Sequence, residues 1–110
     1  MPNPARRALF SPTENDVAHD VDLYLALHDG AVFKFSQDRA VRGQLAGWPD
    51  RVFISADLVL LIEIKRPGGR RRASQVEFEC KVRPYLGRLV RYVCAEDVAD
   101  VAAVFGDSVI

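Results

Sequence analysis

The stretch Pro49-Asp50-Arg51-Val52-Phe53-Ile54-Ser55-Ala56-Asp57-Leu58-Val59-Leu60-Leu61-Ile62-Glu63-Ile64-Lys65 decides how the chain is read. Two apolar runs, Arg51 to Ile54 and Leu58 to Ile64, are separated by Ser55-Ala56-Asp57, the pattern of a β-hairpin. The second run is almost continuously apolar, which suits a central strand covered on both faces. Antiparallel pairing brings the start of the first strand beside the end of the second, so Asp50 and Glu63 are expected to meet. Glu63 and Lys65 are two apart and therefore share a face. Two carboxylates and one amine then converge at one edge of a sheet.

Working outward, Ser11, Pro12 and Glu14 write a helix start: Ser11 as cap, Pro12 at the first position, and an S-x-x-E capping box. Val17, Val21, Tyr24, Leu25 and His28 recur at helical spacing, with Glu14 and Ala18 on the same stripe, until Asp29-Gly30. Ala31 to Ser36 reads as a short strand, and 37 to 47, polar and without a period, as a loop. Beyond the hairpin, Pro67-Gly68-Gly69 marks a turn. Ser74 and Glu77 form a second S-x-x-E box, so a helix is expected from Gln75, with Phe78, Val82, Tyr85 and Leu86 inward. Pro84 should kink or end it. Leu89 to Cys94 is a further strand, and Glu96 or Asp97 opens a last helix with Val98, Val101, Ala102 and Phe105 inward, closed by Gly106. The expectation is an α/β fold, a small mixed β-sheet flanked by helices, in the order α-β-β-β-α-β-α.

Composition bounds the function class. The chain has 110 residues, enough for one domain, with 49% hydrophobic and 27% charged residues, the balance of an ordinary globular protein. Residues 1–10 are expected to be a flexible arm and 11–110 the domain. No apolar run reaches the roughly 20 residues that span a bilayer. The arm has two arginines and no apolar stretch, so no secretory signal is expected. Cys80 and Cys94 do not make a disulfide framework and read as buried thiols in a reducing cytoplasm. A formal net charge of +0 argues against holding nucleic acid by bulk electrostatics. The basic residues nevertheless cluster from Lys65 to Arg91 against only Glu77 and Glu79, which implies one basic face.

Asp50 and Glu63, with the main-chain carbonyl of Ile64, are an oxygen set suited to Mg²⁺, which keeps several waters; Mn²⁺ accepts similar ligands. Lys65 would orient or help deprotonate an attacking water, or hold a phosphate oxygen. Such a set suits phosphodiester hydrolysis. His19 and His28 lie nine apart on a helix and read as structural, His28 against the helix C-terminal dipole. Trp48 reads as core in preference to a platform for an unpaired base.

Gly47-Trp48-Pro49-Asp50, Ile62-Glu63-Ile64-Lys65-Arg66-Pro67-Gly68-Gly69-Arg70, Ser74-Gln75, and Tyr92-Val93 before Glu96-Asp97-Val98 together resemble the VRR-NUC domain, a branch of the PD-(D/E)XK nuclease superfamily. The resemblance runs from about Glu14 to Phe105. It implies a restriction-endonuclease-like core, with Asp50, Glu63 and Lys65 in the catalytic motif. It also implies that Gln75 contacts the active site or a phosphate, and that Glu14 is a further metal or water ligand, although a helix cap alone would account for Glu14. It implies a Mg²⁺- or Mn²⁺-dependent DNA endonuclease, similar to Holliday junction resolvases, acting as a homodimer on branched or structured DNA in the cytoplasm of a bacterium or phage-infected cell. Trp48, Pro84 and the Arg70-Arg71-Arg72 run depart from the family pattern. Arg70, Arg71, Arg72 and Lys81 are candidate DNA-backbone contacts from a flexible loop and the helix after it. The alternative is a non-catalytic DNA-binding or assembly module of the same fold.

Overall fold

The computed structural model describes residues 11–35 and 47–106. The arm expected over 1–10 and nearly all of the loop expected over 37–47 lie outside them. Among the described residues the elements run α1 (Glu14–Leu25), β1 (Ala31–Lys34), β2 (Arg51–Ile54), β3 (Val59–Ile64), α2 (Ala73–Val82), a 3-10 turn (Arg83–Tyr85), β4 (Val90–Ala95) and α3 (Val98–Val104). The fold is α/β, a four-stranded mixed sheet in the order β1-β2-β3-β4. β1–β2 and β2–β3 are antiparallel, and β3–β4 is parallel. The parallel pair needs a crossover, which the segment carrying α2 supplies.

α1 starts two residues later than its sequence suggests. Thr13, not Ser11, is the cap: its hydroxyl accepts from the Asp16 amide at 3.1 Å, and the Asp16 carboxylate accepts from the Thr13 amide at 2.8 Å. Thr13-x-x-Asp16 closes the same reciprocal box as Ser11-x-x-Glu14. Pro12 therefore lies outside the helix, and the Glu14 carboxylate has no capping duty. Val17, Val21 and Leu25 are the buried stripe. Asp22 ties α1 to the sheet through Arg51, Nε to Oδ1 at 2.7 Å. The helix ends at Leu25, ahead of Asp29-Gly30. Gly30 is required by a close approach, because a Cβ there would run into the Phe53 ring and the Ile54 carbonyl.

The hairpin pairs Arg51 with Ile62 and Ile54 with Val59. Leu60, Ile62 and Ile64 face α1 and α3, joining Val17, Val21, Leu25, Phe53, Ala95 and Val101 in one core. The opposite face of β3 is covered less completely: Leu61 stays half-buried, whereas Glu63 is buried. Phe53, 1% exposed, meets Phe105 edge-on at 5.5 Å. Phe53→Ala should cost about 3–5 kcal/mol, read as a lowered urea midpoint with little change in slope.

α2 also departs from expectation. It begins at Ala73 rather than Gln75, and the Ser74/Glu77 box does not form. Instead the Gln75 side chain, at the third helical position, takes the Arg72 amide at 2.7 Å. Gln75 is the buried residue of this helix. Tyr85, expected inward, is 80% exposed, because the chain leaves α2 as a 3-10 turn at Arg83–Tyr85 with Pro84 inside it. β4 runs one residue later than expected, leaving Leu89 exposed. Cys80 is exposed and Cys94 half-buried, so the expectation of two buried thiols is corrected. Asp97 caps α3 by accepting from the Ala99 amide at 2.9 Å, and Gly106 ends it at φ +78°. His28 lies past α1, its Nδ1 3.2 Å from the Tyr24 carbonyl and its ring tilted against Phe105 at 4.1 Å between centroids. No helix among the described residues is long and apolar enough to cross a membrane.

Candidate active site

Asp50 sits where the β2–β3 ladder stops. The last ladder pair at this end is Arg51 with Ile62, so Asp50, which immediately precedes β2, and Glu63 of β3 both lie at the same end of the hairpin. In place of a further ladder bond, the Asp50 carboxylate accepts from the Ile64 amide at 2.7 Å, while its own carbonyl accepts from the Phe35 amide at 3.0 Å. Gly47 at φ +82° and buried Pro49 set the approach of the chain; a Cβ on Gly47 would strike the backbone of Ser74. That contact places the start of α2 against the Pro49-Asp50 segment. The Lys65 amide donates to the Ala95 carbonyl at 2.9 Å, so sheet geometry persists past Glu63 and keeps Glu63 and Lys65 on one face.

Burial singles these residues out. Among the described residues, the buried polar or charged side chains are Asp50 (9% exposed), Glu63 (1%), Lys65 (6%) and Gln75 (4%). Burying a charge is costly unless it is paired or binds a metal. Burial pushes the Asp50 carboxyl above the usual range. The Ile64 hydrogen bond opposes this, the negative charge of Glu14 adds to it, Lys65 opposes it, and Glu63 adds to it. Glu14, Glu63 and Lys65 are thus all within electrostatic reach of Asp50. Glu14, exposed at the first turn of α1, lines with Asn15, Ala18, Asp50, Arg51 and Ile64 a polar cavity of about 120 Å³.

Glu63 is held from the other side by a residue that sequence reasoning assigned elsewhere. Arg71, expected on a DNA-gripping loop, points inward: Nε donates to Glu63 Oε2 at 2.8 Å, Nη1 reaches Glu79 Oε1 at 2.7 Å, and Nη2 donates to the Tyr92 hydroxyl at 3.1 Å. Burial alone would lower the Arg71 pKa, but the hydrogen bond and charge of Glu63 outweigh it and hold it above its ordinary value. Burial and then the Glu63 charge push the Tyr92 hydroxyl up as well. The Cys94 thiol is pushed up to about 12 by burial, then by its hydrogen bond to Glu63. Tyr92 and Cys94 pair in parallel register with Leu61 and Glu63. The sequence marked this stretch as a strand, but not the register that sets Cys94 beside Glu63. Arg70 and Arg72 are exposed, as is Lys81, which pairs with Glu77 at 3.4 Å. Trp48, expected in the core, is 39% exposed and lies between the rings of Phe35 and Phe78.

No protein-family model matches the chain, and no curated protein matches it.

Among the described residues, no three His, Cys, Asp or Glu side chains converge as a ready-made cage for an ion. The donor set still fits a hard divalent cation. Such an ion uses one or two carboxylates and completes its shell with main-chain oxygen and water. The mutual repulsion of Glu14, Asp50 and Glu63 felt at Asp50 is relieved by a positive charge placed among them.

Proposed function

We propose that this chain is a divalent-metal-dependent nuclease that hydrolyses DNA phosphodiesters, preferring branched or structured DNA. The reading includes a restriction-endonuclease-like core of the VRR-NUC type, a homodimer, and a place in the bacterial or phage-infected cytoplasm. One observation carries it: among the described residues, Asp50, Glu63, Lys65 and Gln75 are the ones that bury polar or charged side chains, and the first three stand at one end of the β2–β3 hairpin.

Asp50 and Glu63, with the Ile64 carbonyl and Glu14 at the rim, are the residues that would hold Mg²⁺ or Mn²⁺. Bound there, the ion would lower the pKa of a water and stabilise charge at phosphorus. Lys65 aims the attacking water or holds a non-bridging phosphate oxygen. The water oxygen bonds to phosphorus and releases a proton to solvent, the phosphorus–ester oxygen bond breaks, and the departing oxygen takes a proton from solvent. Gln75 holds the first turn of α2 against the site by capping Arg72. Exposed Arg66, Arg70 and Arg72 follow the backbone of the DNA, a contact that weakens with salt.

A non-catalytic DNA-binding or assembly module is the competing reading, and the Arg71–Glu63 ion pair is the contact that favours it. Parallel incubation with four-way junction, flap, duplex, single-stranded DNA and RNA in Mn²⁺ separates the two. Strand cleavage strongest on the junction or flap is expected. Retarded mobility of DNA with every strand intact would favour the module instead.

A further inference from the structure

The Arg71 guanidinium is an internal cation already seated on the carboxylate that the proposed metal site needs. Its loop, 66–72, leaves Arg70 and Arg72 exposed, yet Arg71 turns in and commits three nitrogen atoms to four acceptors: Glu63, Glu79, the Tyr92 hydroxyl and, at 3.4 Å, the Gln75 carbonyl. Glu63, 1% exposed, is too deeply placed to be left without a counter-charge. Glu79 gives Arg71 a second carboxylate, 21% exposed and shared with Arg83 at 3.0 Å. The guanidinium can therefore leave Glu63 and remain paired.

We infer that Arg71 is a positioning residue that serves as the resident counter-ion of Glu63 and competes with a divalent cation for it, shifting towards Glu79 when the cation binds. This rests on the metal-site reading above. It places two demands on the chain. Arg71 keeps Glu63 in its buried rotamer while the site is empty of metal, and it sets how much metal is needed to fill the site.

The test is a calorimetric titration of the full chain with Mn²⁺, without DNA, comparing wild type, Arg71→Lys and Arg71→Gln. Removing a positive charge from the side of a divalent ion should tighten binding by roughly tenfold or more in Arg71→Gln. Arg71→Lys, which keeps the charge, should stay near wild type. Loss of a merely structural contact would weaken binding or leave it unchanged. Equal or weaker binding by Arg71→Gln, with wild type binding, overturns the counter-ion role and leaves the metal site standing. Binding by neither overturns both. On the wild-type chain itself, a ¹⁵N spectrum gives an answer that needs no stable variant. The Arg71 Nε–H signal should move from its ion-paired position as Mg²⁺ is added, and a signal unmoved at saturating Mg²⁺ overturns the inference.

Discussion

Lys65→Met should lower the single-turnover rate of DNA cleavage by about 10²–10³-fold, the range typical of losing one positioned donor to the reacting groups. Lys65 is 6% exposed, so its carbon stem is packed, and methionine preserves most of that packing while deleting the ammonium. The backbone contribution survives, because the Lys65 amide still donates to Ala95. Far-UV circular dichroism should therefore match wild type. Mn²⁺ affinity should hold or rise, since a positive charge near Asp50 has gone. A variant that cuts at the wild-type rate removes Lys65 from the chemistry.

Asp50→Asn should produce a protein that is more stable and inactive. The folded site raises the Asp50 pKa, chiefly by burial. Ionising Asp50 therefore costs more in the folded chain than in the unfolded one. The stability tied to this group is fully present below the ordinary carboxylate range and is lost as pH rises through the raised value. At pH 7 the wild type carries that cost. Asparagine removes it, and its side-chain oxygen still accepts the Ile64 amide. The melting temperature at pH 7 should rise by a few degrees, each kcal/mol being worth about 4–8 °C in a small domain. The gap should close on acidification below the carboxylate range. Cleavage should fall by at least about 10²-fold, because a cation held by Asp50 would supply several kcal/mol of charge stabilisation to the transition state. Added Mg²⁺ should raise the melting temperature of wild type but not of Asp50→Asn. Equal melting temperatures at pH 7 would show that the Asp50 charge is already compensated.

Such a trade between stability and activity is what a buried charged site produces. The hairpin was legible because two apolar runs around a polar turn have few alternatives; pairing then brings Asp50 and Glu63 to one end, and strand periodicity puts Lys65 on the face of Glu63. Gln75 was expected at the site only through the family resemblance, and its place at the third position of α2 was not legible. The caps misled for a local reason: Ser11-x-x-Glu14 and Thr13-x-x-Asp16 are chemically equivalent boxes two residues apart, and the packing of Val17, Val21 and Leu25 fits the second. The same holds where the Gln75 side chain, not Ser74, closes the start of α2. Arg71 was not legible. In a run of three arginines, the one that turns inward depends on where α2 begins, and a shift of two residues changes the answer. Tyr92 and Cys94 reach Glu63 only through the parallel β3–β4 register, which no local pattern encodes.

The most direct measurement is cleavage of an end-labelled four-way junction by the purified chain, in Mn²⁺ and in EDTA, resolved on a denaturing gel. Strand breaks that appear with Mn²⁺ and vanish with EDTA are the expected result. Intact strands in Mn²⁺ and in Mg²⁺, from protein shown to be folded, would contradict a hydrolytic site built on Asp50, Glu63 and Lys65.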